Sequence, residues 1–353
     1  MSSRYLPHGA FFQDLHRSVD GYFASAGLSP RGSSRLWVKT GIILAWCALS
    51  WIALVFLANT WWQALLSAVS LGLAVAGIGF NIMHDGGHRA FSERDGVNRA
   101  MALMLDVIGG SSYVWHWKHN VHHHANPNVA GLDADIDIQP FVRLSPEQPW
   151  RPWYRYQHLY TWALYSFLTA KWHLVDDFRD VLTGHIDTQR FPRPKDRDLA
   201  AFISGKLLFF SWAFVVPALF HPVWKVALGY LFVSVVVSLV MALTFQGAHC
   251  VTGAAFPGEG AKKLEWAEHQ ARTSLDFAPG HRLWTWYLGG LNYQLEHHLF
   301  PRVSHVHYPA LAPLVREVCA AHGVPYQVMP SVGATLVSHG RWLLEMGRKP
   351  LAP

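Results

Sequence analysis

Charge and cysteine are both scarce in this sequence. Only 15% of the 353 residues are Asp, Glu, Lys or Arg, against roughly 25% in an average soluble domain. Cysteine occurs three times, at Cys47, Cys250 and Cys319. An odd number without CxxC spacing argues against a disulfide framework and a thiolate zinc cluster, and it suits a reducing cytoplasmic face. Residues 1–35 are mixed and polar, without the short apolar stretch and small-residue site of a cleavable signal peptide. The first apolar run is therefore expected to act as an uncleaved insertion signal. Internal repeats, low-complexity tracts and nucleic-acid motifs are also lacking. The net charge of +6 then reads as Lys and Arg facing anionic lipid headgroups, with no nucleic-acid partner.

Apolar and aromatic residues are abundant: 51% of the chain is hydrophobic and 17 residues are Trp, a composition that suits broad membrane interfaces. Residues 40–58 and 61–83 are uncharged, and each approaches the roughly 20 residues needed to span a bilayer. A second pair of runs follows at 204–220 and 226–248, divided by His221-Pro222. The run at 204–220 contains Pro217 and also Lys206, which is expected to snorkel to the interface. Four spans in two hairpins leave both termini and the middle segment on one side. Arg4, Arg17, Arg31, Arg35 and Lys39 belong to that side, whereas the 59–61 turn has no basic residue and the other turn has Lys225 alone. The positive-inside rule makes the shared side cytoplasmic.

Segments 100–115 and 153–170 are aromatic but broken by Gly109-Gly110 or by Arg155, Gln157 and His158, and they read as interfacial or buried helices. Residues 125–152 read as loop, 184–200 as a polar, basic connector and 303–353 as a small soluble cap. The expected fold is an all-α integral membrane protein with four transmembrane helices in two hairpins. A cytoplasmic tail over 1–35 precedes a single membrane domain over 36–353, whose cytoplasmic cap, 84–203 and 249–353, holds the metal site.

The 22 histidines are the anomaly, and they cluster. His84 and His88, in HDGGH, stand four apart and share a helix face; Gly86 and Gly87 between them lower helix propensity and can admit another helix closely. The tract His119-Asn120-Val121-His122-His123-His124 pairs His119 with His122 or His123 by the same rule, and adjacent His122 and His123 point about 100° apart on an α-helix. They can serve two ions, with His124 left as a surface residue. In Gln294-Leu295-Glu296-His297-His298, Gln294 stands where a third histidine would repeat that spacing. His249, at the end of the last span, lies on the same side. Eight imidazoles exceed the four ligands of one zinc and suit two ions with open positions, for which iron, copper and zinc are all candidates.

HDGGH at 84–88, WKHNVHHHANPN at 117–128 and NYQLEHHLFP at 292–301 resemble the histidine boxes of membrane fatty-acid desaturases and hydroxylases. DADID at 133–137, YQHLY at 156–160 and the order of the hairpins extend the likeness over roughly 40–320. The glutamine that opens the third box resembles the front-end and acyl-lipid desaturase branch. The resemblance implies two iron ions on His84, His88, His119, His122, His123, His249, His297 and His298, with O2 as co-substrate. It also implies a fatty acyl lipid, acyl-CoA or acyl carrier protein substrate. No HPGG haem motif is present, so electrons are expected from a separate cytochrome b5 or ferredoxin. Asp85, Asn120, Gln294 and Glu296 are candidates for holding the ligands. Gly109, Gly110, Ser111 and Trp115 are candidates for lining an acyl channel. Asp133, Asp135 and Asp137 read as a solvated loop. Hydroxylation or epoxidation on the same scaffold is the nearest alternative. A zinc-dependent hydrolase needs fewer ligands, and a metal transporter needs ionisable groups in mid-span, which these runs lack.

Overall fold

The four apolar runs fold as helices of the length a bilayer demands. In the computed structural model, which describes residues 4–258 and 261–350, they are Ser34–Leu57, Trp61–Gly87, Asp196–Ala218 and Val223–His249. The described residues otherwise form three longer helices, Ala10–Ala26, Tyr308–Ala321 and Val332–Gly347, with short helices, turns and two minimal strand pairs. The chain is thus an all-α integral membrane protein. Local chemistry sets the starts of the first two spans. The Ser33 side chain accepts from Leu36 N (3.2 Å), and Thr60 and Gln63 form a reciprocal capping box.

The chain forms two compact units, each discontinuous in sequence. The first is Ser33–Asn120 with Thr161–Ala242; the second comprises the chain up to Gly32, Val121–Tyr160 and everything from Leu243. The expected interfacial segments are the short helices Asp95–Ala102, Met104–Val107 and Ser112–Trp115, and then Pro152–Tyr156, Gln157–Tyr165 and Leu168–Lys171.

Within the first unit, the first two spans meet through Trp46 Nε1, which donates to Ser70 Oγ (2.9 Å), and through Ser50 Oγ, 2.7 Å from the same oxygen. Such hydroxyl contacts bind helices where no water competes. A Cβ at Gly72 would lie 2.7 Å from Val236 Cβ, so the second and fourth spans pack backbone-close. Lys206 departs from expectation. Rather than snorkelling, it is buried, with Nζ 2.7 Å from Asp177 Oδ2 and 2.6 Å from the Gly109 carbonyl. Asp177 lies far along the connecting segment, so sequence proximity could not announce the pair.

His173 lies beside this pair and is also buried. Burial, with the Lys206 charge second, pushes its pKa down to about 3. The unfolded imidazole titrates near 6.5. His173 is therefore neutral in the folded protein, and its contribution is lost as pH falls below that value. The loss is about 2 kcal/mol by pH 5, from roughly 1.4 kcal/mol per pH unit. Thermal melts in detergent at pH 7 and pH 5 should show a smaller pH-dependent drop for His173→Gln than for wild type; an identical drop would assign the acid sensitivity elsewhere.

Within the second unit, the expected polar tail is partly a folded helix, Ala10–Ala26. Phe11, Leu15, Val19 and Phe23 recur every fourth residue and are buried in one core with Leu311, Ala312, Val315 and Cys319 of Tyr308–Ala321. Asp14 Oδ2 meets His322 Nε2 at 2.9 Å across the same contact. The loop over 125–152 is irregular as expected, yet partly buried. Gln157 Oε1 accepts from Arg143 N, and Gln157 Nε2 donates to the Arg143 and Leu343 carbonyls, each at 2.9 Å.

Candidate metal centre

The first unit brings His84, His88 and His119 together. The second span widens into a π-helical turn over Gly79–Met83 and returns to α geometry at His84–Gly87. The bond from His88 N to His84 O (3.0 Å) then places the two imidazoles on one face, ring centroids 4.6 Å apart. His119 stands 5.4 and 5.2 Å from them, and the three residues offer ring nitrogens within 4.8 Å of one another. All three are buried. Trp115, expected in a channel, instead stacks on His119 at 4.6 Å and 22° and walls the cluster.

The glycines between the first two histidines are sterically required. A Cβ at Gly86 would lie 2.6 Å from Ala102 N, and one at Gly87 would overlap the Trp115 ring. Asn120 Nδ2 donates to the Gly87 carbonyl (2.9 Å), tying the second box to the first through the backbone. Asp85 is buried and is attracted electrostatically to buried Lys39.

The second unit gathers His123, His249 and His298, and around His298 also His124 and His297. His249 and His298 face each other with Nε2 atoms 3.2 Å apart. His124 stacks on His298 at 4.4 Å. The opposite nitrogen of each ring is held by the protein. His123 Nδ1 lies 3.1 Å from both Asp133 oxygens, His249 Nδ1 lies 3.0 Å from the Thr273 carbonyl, and His298 Nδ1 lies 2.8 Å from Gln270 Oε1. His297 Nδ1 meets the Tyr308 hydroxyl at 3.3 Å. An acceptor at Nδ1 fixes the proton there and leaves the Nε2 lone pair facing the cluster. His298 is held neutral: burial, then the surrounding imidazoles, depresses its pKa well below the usual range.

The placement differs from the sequence expectation at the second box. His122 joins no cluster of potential ligands among the described residues, whereas His124, set aside as a surface residue, is buried against His297 and His298. The cause is local. Residues His116–His123 form a π-helix, whose wider turn bonds each residue to the fifth along rather than the fourth. The wider turn departs from the spacings of three and four that an α-helix favours, and the helix ends before His124.

The supporting residues differ too. Asp133 is not solvated: it is buried, accepting from Asn128 N (2.8 Å) and Asp135 N (3.0 Å) while it holds His123. Asn128, at φ +60°, donates its amide to the His249 and Ala255 carbonyls at 3.0 and 3.1 Å. Among the described residues, the Glu296 carboxylate is partnered by a tyrosine and not by an imidazole. Its Oε1 lies 3.0 Å from the Tyr326 hydroxyl, which is itself 2.6 Å from Asp276 Oδ2. Burial and the Asp276 charge push the Glu296 carboxyl well up. Gln294 is at the cluster, its Nε2 3.0 Å from His249 Nε2; half a turn of the amide presents its oxygen instead.

The expected channel residues are tightly packed. A Cβ at Gly109 would lie 2.7 Å from the Phe209 ring, and one at Gly110 would lie 2.7 Å from Leu105 Cδ1. Ser111 is buried and caps Val114 N at 3.3 Å. Asp133, Gln270 and Tyr308 are the supporting residues that sequence reasoning missed. Only Asp133 carried a signal, its closeness to the second box in DADID.

Four membrane helices and clusters of buried, oriented imidazoles define a membrane protein equipped to hold transition-metal ions. The family model described as Fatty acid desaturase matches residues 59–330. The chain is 36% identical over 343 residues to the sn-1 linoleoyl-lipid 6-desaturase of Arthrospira platensis, covering 96% of this chain and 93% of that protein. The protein of the same name from Synechocystis sp. matches at 36% identity, covering 96% of both chains. The acyl-lipid (8-3)-desaturase of Physcomitrium patens is 35% identical, covering 96% of this chain and 72% of that protein. The chain belongs to the fatty acid desaturase family.

Proposed function

We propose that this protein is an acyl-lipid desaturase of the front-end type that uses O2 and two histidine-bound iron ions. The observation that carries the reading is the donor set. The second unit fixes Nδ1 of His123, His249 and His298 on protein acceptors, while their ring nitrogens converge within 4.8 Å. Imidazoles that only filled a core would not need this tautomer control. One ion is assigned to His84, His88 and His119, and the other to His123, His249 and His298, with His124 and His297 completing the set of eight. Zinc in a hydrolytic site would leave half of these donors unused.

When bound, iron supplies the oxidising power needed to take two hydrogens from an unactivated methylene pair. The chain's own contribution is placement and exclusion of water. His123, His249, His297 and His298 have between 0% and 3% of their surface exposed, and Trp115 covers the first set. The sequence names of the relatives support a glycerolipid-borne acyl chain over a soluble carrier. The histidine face is assigned to the cytoplasm from the basic residues before the first span, where a separate cytochrome b5 or ferredoxin delivers electrons. The test is mass spectrometry of total acyl chains from cells expressing the protein or His298→Ala. Chains lacking two hydrogens, absent from the variant, are expected. Chains carrying one extra oxygen would replace this reading with hydroxylation or epoxidation.

Asp133 supplies a second test, independent of the ligands. Asp133→Asn keeps the shape but removes the charge that orients His123. Such partners typically contribute 10- to 100-fold to metal affinity or activity. Iron retention after dialysis against a chelator should fall by about that factor. The asparagine amide nitrogen cannot accept, so one of the bonds from Asn128 N and Asp135 N is lost and the metal-free protein should melt somewhat lower as well. Wild-type retention would show that Asp133 only ties its loop.

A further inference from the structure

A cavity of about 1010 Å³ opens in the second unit along the N-terminal helix. Phe12, His16, Val19, Asp20 and Phe23 line it from one helical face, and Leu299, Phe300 and Val303 form another wall. That wall begins at the residue after His298, yet no residue of the proposed ligand set lines the cavity. Metal binding therefore does not account for it.

Its lining is apolar and aromatic, but two permanent cations stand in it, Arg31 and Arg302, against the single carboxylate of Asp20. The two arginines belong to chain segments that are bonded together. Ser304 N donates to the Pro30 carbonyl at 2.8 Å, and Arg31 N donates to Ser29 Oγ at 3.1 Å, which fixes the backbone at the cation. The first span begins at Ser34. Arg31 thus precedes a candidate membrane helix by three residues in the chain. In a membrane protein, a cavity with an apolar, aromatic wall and two guanidiniums in its lining matches an amphiphile with an anionic head.

We infer that this cavity binds an anionic glycerolipid, its phosphate on Arg31 and Arg302 and its glycerol and upper chain against Phe12, Phe23 and Phe300. The bound lipid's role as substrate rests on the acyl-lipid reading above; its binding does not. The bound headgroup would hold the ester end of the lipid beside the chain segment that carries the third histidine box.

The test uses the full chain in nanodiscs containing equal amounts of phosphatidylglycerol and phosphatidylcholine with identical acyl chains. Lipids retained after transfer to mild detergent are counted by native mass spectrometry, and desaturated chains in each lipid class are measured separately. Wild type should retain phosphatidylglycerol at least about tenfold over phosphatidylcholine, as expected for a charge-assisted bidentate contact. Arg31→Gln combined with Arg302→Gln should erase that preference. Equal retention by wild type, or an unchanged preference in the double variant, overturns the proposal. Should the double variant lose its fold, wild type in about 0.5 M salt decides the question, because screening must collapse the preference or the paired cations are not its source. Selective retention without any desaturated product would leave this site standing and sink the acyl-lipid reading instead.

Discussion

His124→Ala removes both metal binding and desaturation, whereas His122→Ala leaves both near wild type. The expectation follows from the turn that carries the second box. In an α-helix, His122 and His123 would share the face of His119, and His124 would point away. Over His116–His123 the helix is π-type and it ends before His124, so α-helical spacing does not set which way His124 points. His124 is buried and stacked on His298 with ring centroids 4.4 Å apart, and its ring lies 4.7 Å from that of His297. Residues that merely orient a ligand contribute 10- to 100-fold, so loss of a ligand should exceed about 100-fold in product formed per enzyme. His122 is only partly buried, and its truncation should cost about 1 kcal/mol of stability. Iron content and product yield of the two purified variants decide the matter. Equal losses, or a larger loss for His122→Ala, would return the site to α-helical spacing and take His124 out of the ligand set.

Lys206→Met should lower stability by about 3–5 kcal/mol, the range for removing one partner of a buried ion pair. Asp177 would keep its Trp172 Nε1 contact at 2.9 Å but lose its only cation among the described partners. Burial already raises the Asp177 pKa to about 6, and Lys206 opposes that rise. Removing the lysine raises it further. The buried carboxyl then carries a penalty that is full above its folded pKa and fades as pH falls and the group takes a proton. The melting-temperature difference between Lys206→Met and wild type should therefore narrow from pH 8 toward pH 5. Lys206→Met with Asp177→Leu should recover much of the loss, because the uncompensated charge is gone. A single variant as stable as wild type, or a difference that widens with acid, would mean that Lys206 reaches water after all.

The spans were legible in the sequence because the signal is local. A run of about 20 apolar residues needs no distant partner to be identified, and Ser33 and Thr60 mark where the first two helices begin. The first box was equally legible, since His84 and His88 sit on an ordinary α-helical turn. The N-terminal helix carried a readable signal in Phe11, Leu15, Val19 and Phe23, every fourth residue, although the surrounding polar residues hid it.

By itself, the sequence determined the class of protein: four membrane helices and three histidine boxes. Length of apolar run and residue spacing are properties of the chain alone. Tertiary structure decided which nitrogen atoms face the cluster. A π turn runs across the second box, and His124, not His122, stands with His297 and His298 among the potential ligands of the described residues. The partners that orient the rings lie ten residues from His123 at Asp133 and 28 from His298 at Gln270. Such acceptors are chosen by where loops close in space, and a polar residue in a loop looks the same in sequence whether it meets water or an imidazole.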